Sequence, residues 1–206
     1  MPKPTTTPAE ASAPRRRRAD AERSVAAILD AALEALASDP DSSMSEIARR
    51  AGVVRATIYV HFPTRETLLD AVMERSVADV AEATRGAEPR RGEPVEALER
   101  VLRATWRELA RFHALLAINI ARLSAEELRR RHLPVLAQLQ PLIERGQKQG
   151  VFRSDVPVAW HLAIIRAIVH TASAESQNGR IPESEAEAAM LSTVISAVSP
   201  PQPRVT

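Results

Sequence analysis

From Ala19 to Val198 the apolar residues recur with the period of a helix. Hardly any stretch alternates with the period of two that a half-buried strand needs, and the Val- and Ile-rich runs sit inside longer helical patterns. The expected fold is therefore all-α. At 206 residues, 45% of them hydrophobic, the chain can bury a core for one domain or two small ones. No uncharged apolar run approaches the ~20 residues of a membrane span. Met1 to Pro14 has no apolar centre of a secretory signal, so the expected location is cytoplasmic, with no membrane partner. With no cysteine, disulfides, thiolate catalysis and Cys-based metal sites are excluded. Two Trp, one Tyr and three Phe are too few for a protein that stacks on sugars or single-stranded bases.

Punctuation by proline and glycine divides this helical pattern. Residues 1–18 are Pro-, Thr-, Ala- and Arg-rich and are expected to form a disordered basic arm, in which Lys3, Arg15, Arg16, Arg17 and Arg18 outnumber Glu10. The arm is either a minor-groove extension or a solubilising tail. Residues 19–85 are acidic on balance. Their first helix, from about Asp20 to Ser38, carries Val25, Leu29, Ala32, Leu33 and Leu36 on one face and ends at Asp39-Pro40-Asp41. Ser43-Met44-Ser45-Glu46 reads as a capping box, with Ser43 capping a short helix and Glu46 reaching back. Gly52 supplies its left-handed C-terminal residue. A second short helix covers Arg55 to His61 and stops before Pro63; Thr64 caps a longer one through about Thr84. The Pro-, Gly- and charge-rich segment 86–93 marks the domain boundary. Helices at about 94–112, 113–123, 125–132, 134–149, 156–177 and 183–198 follow within a second domain, 86–199, with a kink or break at Pro141 and a disordered tail, 200–206.

Two short helices around a tight glycine turn, flanked by longer ones, suggest a helix-turn-helix. Ala48 and Ala51 are small enough to let the second short helix cross closely. Ile58 and Phe62, four apart, anchor that helix to the core, which leaves Arg55, Thr57, Tyr59 and His61 towards solvent or DNA.

The stretch Ser43-Met44-Ser45-Glu46-Ile47-Ala48-Arg49-Arg50-Ala51-Gly52-Val53, with Thr57-Ile58-Tyr59-Val60-His61-Phe62 and Arg65-Glu66-Thr67-Leu68-Leu69, resembles the DNA-binding domain of the TetR family of transcriptional regulators. Arg145-Gly146-Gln147, Gly150, Phe152-Arg153 and Asp155 resemble a segment of that family's C-terminal half. The resemblance implies a homodimeric repressor that leaves a palindromic stretch of double-stranded DNA when a small-molecule effector binds, without a cofactor. By position, it implies phosphate contacts from Ser43, Tyr59 and Arg65, a phosphate or base contact from His61, and Thr57 at the DNA-facing start of the recognition helix. Val54 departs from the family pattern, in which Ser or Thr commonly caps that helix, so the cap must come from elsewhere. Arg55 is the most individual residue of the helix and is expected to read a base, guanine through O6 and N7.

In the second half, rigid or polar side chains on apolar stretches nominate Trp106, His113, Asn119 and Trp160 as ligand-pocket residues. Residues 156–174 are apolar nearly all round and should be buried on all sides. Together with the last helix they suggest a twofold four-helix interface built from Ile164, Ile168, Met190, Leu191, Val194 and Ile195. Arg166 and His170 share a helical face and can either bind an anionic ligand or meet an acid across a dimer. No histidine has a partner at metal-ligand spacing, and no nucleophile–base pair or phosphate loop occurs, so neither a metal nor an enzyme is expected. The alternatives are an effector-independent DNA-binding protein, acting through a protein partner or in chromosome organisation, and an all-α protein whose helix-turn-helix is merely structural.

Overall fold

The computed structural model describes the backbone of residues 12–201. It also describes their side chains, except those of residues 12–17, 110–111, 113–117, 119–121 and 125. Among these residues the chain is wholly helical: α1 (Ser12–Ser38), α2 (Met44–Arg50), α3 (Arg55–His61), α4 (Arg65–Gly86), α5 (Pro94–Arg122), α6 (Ala125–Arg131), α7 (Leu133–Lys148), α8 (Val158–Gln177) and α9 (Glu183–Val198). It divides into two compact units at Val72/Met73, inside α4.

The helix α1 starts at Ser12, not near Asp20, so the second part of the expected disordered arm is helical. Ala and Arg are strong helix formers, and Pro14 stands in the first turn, where its missing N–H is no loss. Residues 1–11 and 202–206 lie outside the described residues. In the first unit Ile28, Ala32, Ala35 and Leu36 of α1 are buried, as are Ile47 and Ala48 of α2, Ile58 of α3, and Leu68, Leu69 and Val72 of α4. The α1 stripe is thus centred on Ile28, Ala32 and Ala35, with Val25 and Leu33 at its half-buried edges. The turn after α1 closes on itself. The Ser42 hydroxyl donates to the Ala35 carbonyl at 3.1 Å, and the Asp41 N–H donates to the Asp39 carboxylate at 3.0 Å.

The second unit packs Leu98, Val101, Leu102 and Trp106 of α5 with Leu139, Leu142 and Ile143 of α7, Ile165 and Val169 of α8, and Met190, Val194 and Val198 of α9. With no Pro or Gly after Pro94, α5 runs unbroken through the expected interruption at 112–113. Pro141 does not interrupt α7. The expected linker 86–93 is a turn fixed inside this unit. Arg100 donates to the carbonyls of Ala87, Glu88 and Arg91, and Arg145 to those of Pro89 and Arg90. Two arginines thus satisfy the carbonyls of a segment whose composition reads as loose.

The segment after α7 is similarly tied. Phe152 is almost wholly buried against Gly146, where any side chain would overlap its ring. Gly150 turns the chain at φ +73°. Gln147 donates to the carbonyls of Arg153 and Val156, both at 3.0 Å, and the Arg153 N–H donates to the Val198 carbonyl at 2.8 Å. The Arg153 guanidinium holds Asp155 in a two-pronged pair at 2.7 and 2.5 Å.

Candidate DNA-reading surface and ligand cavity

In the first unit, α2 is capped as its sequence predicts: the Ser43 hydroxyl accepts from the Glu46 N–H at 3.2 Å. The reciprocal half of the expected box is absent. The Glu46 carboxylate instead takes hydrogen bonds from Arg49 at 3.0 and 2.6 Å and from Arg50 at 2.9 Å. Those bonds hold its pKa down at about 2. Two guanidiniums one turn on compete better for a carboxylate than one backbone N–H. Gly52 takes φ +68° after α2.

Helix α3 is held by its inner face. Ile58 is fully buried and Phe62 nearly so, while Tyr59 is 38% exposed and Arg55 lies open to solvent. The Arg55 guanidinium sits over the Tyr59 ring, 5.6 Å from its centroid. Thr57 and His61 are half-buried at the edges of this surface, and Ser43 is exposed. No side chain caps α3. Val54 occupies the cap position at 70% exposure, so the expected substitute cap does not exist. Arg65 is engaged within the fold: it donates to the carbonyl of Pro40 at 2.5 Å and to that of Ser42. Its guanidinium fixes the loop that presents Ser43, a role its spacing in sequence did not reveal. Arg18 is exposed, and the side chains of Arg15, Arg16 and Arg17 lie outside the described residues. The backbone of residues 12–18 is helical, not extended.

The second unit contains a cavity of about 90 Å³ between α4, α5, α7 and α8. Its wall is mainly aliphatic, with Met73, Val80, Leu102, Leu109, Leu139 and Ile165 among its residues. Set into this wall are His132, Arg166 and His170. The His132 and His170 rings lie 5.1 Å apart, and His132 Nδ1 donates to the Leu128 carbonyl at 2.6 Å. Burial pushes the pKa of both histidines down; for His170, with His132 and Arg166 adding to the effect, it falls to about 3. Both rings are therefore neutral at pH 7.

Of the nominated pocket residues, the two tryptophans are not among those that line this cavity. Trp106 is core, and Trp160 is 54% exposed. The side chains of His113 and Asn119 lie outside the described residues. A tryptophan on an apolar stretch marks burial or an open face as readily as a pocket. The His132–His170 pair was missed because the two residues lie far apart in sequence, His132 at the junction of α6 and α7 and His170 in α8. Of the nominated interface, Met190, Leu191 and Val194 are instead buried in their own unit's core, while Ile164, Ile168 and Ile195 are half-buried. Nor is α8 buried all round, since Ala163 and Ala167 are exposed. Among the described residues no cluster of metal-ligating side chains occurs, and no helix is long and apolar enough to cross a membrane.

A recognition-type helix behind a glycine turn, in a wholly helical chain, defines a helix-turn-helix protein. Two sequence families specify it further. Bacterial regulatory proteins of the tetR family match residues 28–72, and a tetracyclin repressor-like C-terminal domain matches residues 94–190. The chain belongs to the TetR family, which is made of transcriptional regulators rather than enzymes. It is 42% identical to the HTH-type transcriptional repressor LfrR of Mycolicibacterium smegmatis over 82 residues, 39% of this chain and 43% of that one. It is 26% identical to the HTH-type transcriptional regulator NfxB of Pseudomonas aeruginosa over 159 residues, 76% of this chain and 84% of that one. The match thus spans less than half the length of LfrR. The crystal structure of LfrR from Mycobacterium smegmatis in complex with proflavine shares the fold, with a TM-score of 0.68 at 23% identity over 87% of this chain and 99% of that one.

Proposed function

We propose that this chain is a sequence-specific DNA-binding transcriptional repressor of the cytoplasm, which acts as a homodimer and leaves a palindromic operator when a small molecule enters the second unit. The observation that carries the reading is α3: Ile58 and Phe62 fasten it from within, and Arg55 and Tyr59 stand free on its outer face. In this reading Arg55 reads a base, Ser43, Tyr59 and His61 contact phosphates, and Thr57 sits at the DNA-facing start of α3. Arg65 acts by positioning Ser43.

The open face of α8 and α9 supports a second copy of the chain as partner. Trp160, Ala163, Ile164, Ala167 and Ile168 lie on it, and Ser192, Thr193 and Ser196 of α9 are exposed. Small residues let helices approach closely around a twofold axis. Such a pair would set two α3 helices roughly 34–36 Å apart, on successive major grooves. The cavity supports an effector over the effector-independent alternative, which requires none. The LfrR structure holds proflavine in a protein of the same fold.

Selection from a random duplex pool by the purified protein tests the reading. Enrichment of an inverted repeat is expected, and the cavity's ligand should release it. A pool that comes through several rounds unchanged at moderate salt would overturn sequence-specific binding.

A further inference from the structure

The cavity of the second unit carries an unanswered charge. Arg166 stands in its wall, and among the described residues it forms no hydrogen bond or ion pair. Among the described residues no Asp or Glu lines the cavity. The two other basic side chains, His132 and His170, are held neutral and so add no repulsion that an entering anion would relieve or a cation would meet. The remaining polar lining is hydroxyl, from Ser76 and Thr105. A half-buried guanidinium beside aliphatic walls has lost part of its hydration without gaining a counter-charge. The complementary ligand supplies both missing parts, an oxyanion for the guanidinium fork and an apolar body for the walls. A cationic ligand would meet a like charge with no carboxylate to offset it.

We infer that the cavity selects a small apolar monoanion, a carboxylate on an aliphatic or aromatic body, with Arg166 as the charge-reading residue and the aliphatic wall as the body's seat. This rests on the reading of the second unit as effector-binding. It also distinguishes this chain from a regulator whose pocket accepts an aminoacridine cation such as proflavine.

The test compares octanoate, octanol and octylammonium, which share a chain and differ in charge, together with proflavine. Binding to the full-length protein is followed by calorimetry, and release of the selected duplex by fluorescence anisotropy. Octanoate should bind about tenfold or more tighter than octanol, with octylammonium and proflavine weaker still. Arg166→Gln should remove the preference for octanoate while leaving octanol within about twofold, and Arg166→Lys should retain the preference for the anion over the alcohol. Octanol binding as tightly as octanoate overturns the inference, as does a tighter ammonium or proflavine complex, failure of all four to bind, or an Arg166→Gln variant that loses acid and alcohol alike. Release of DNA by octanol alone would overturn the charge preference and leave the effector reading standing. Octanoate bound through Arg166 without release of DNA would do the reverse.

Discussion

At Arg55 and Arg65 the same chemical group is put to two uses. Arg55 rests on the Tyr59 ring with its donors free, whereas Arg65 spends two hydrogen bonds on the carbonyls of Pro40 and Ser42. Arg55→Ala should therefore change the preferred base at one operator position and leave unfolding of the first unit unchanged. Arg65→Ala should cost about 2 kcal/mol of stability and weaken every duplex alike, because the loop bearing Ser43 is released. Urea titration beside binding to the selected operator and to single-base variants separates the two. Equal losses on all sequences for both variants would remove the base-reading role. His170 gives a further residue-scale expectation. Its folded pKa of about 3 lies below the ordinary 6.5, so the unfolded chain takes up the proton first as pH falls. The stability held by the neutral ring is complete above pH 6.5 and declines towards pH 3, by up to about 1.4 kcal/mol per pH unit. His170→Gln should flatten the acid limb of stability against pH, measured by denaturant titration of the wild type and the variant in parallel.

Single elements carry conflicts between local preference and packing. Helix α3 begins at an exposed Val54 whose carbonyl accepts from the Thr57 N–H at 2.9 Å but whose side chain offers the first turn no acceptor. Val54→Ser should stabilise the first unit by about 1 kcal/mol, seen as a raised midpoint in urea. Helix α7 keeps Gly146 in its interior despite the entropic cost, because the Phe152 ring occupies the space a side chain would take. Gly146→Ala should cost at least about 1–3 kcal/mol, and Phe152→Leu in the same chain should restore part of it in a double-mutant cycle. Additive losses would show that the two sites do not share this contact. These elements also show what the sequence makes legible. The α2–turn–α3 unit follows from contacts a few residues apart: Ser43 to Glu46, Gly52 at the turn, Ile58 to Phe62. The ligand cavity does not, since α4, α5, α7 and α8 each bring a few residues to it and no spacing links His132 with His170. Tryptophan misled in both directions, with Trp106 inside the core and Trp160 on the open face.

Across the whole molecule, many of the described arginines are already answered. Arg49, Arg50, Arg129, Arg130, Arg131 and Arg180 all pair with nearby glutamates. Such exposed pairs add little stability, yet they draw those cations away from non-specific attraction to DNA, whereas Arg55 keeps its donors for use outside the fold. The order in which the chain leaves the ribosome gives the core of the second unit a further meaning. Ile28, Ile47 and Ile58 all belong to a compact unit whose chain is complete at residue 72, so the first unit can close early. The second unit cannot. Leu98, Leu142 and Phe152 share their core with Met190, Val194 and Val198, and the Arg153 N–H waits for the carbonyl of Val198. Until α9 emerges, the faces of α5 and α8 on which it packs remain uncovered, and it is then that the nascent protein most needs a chaperone.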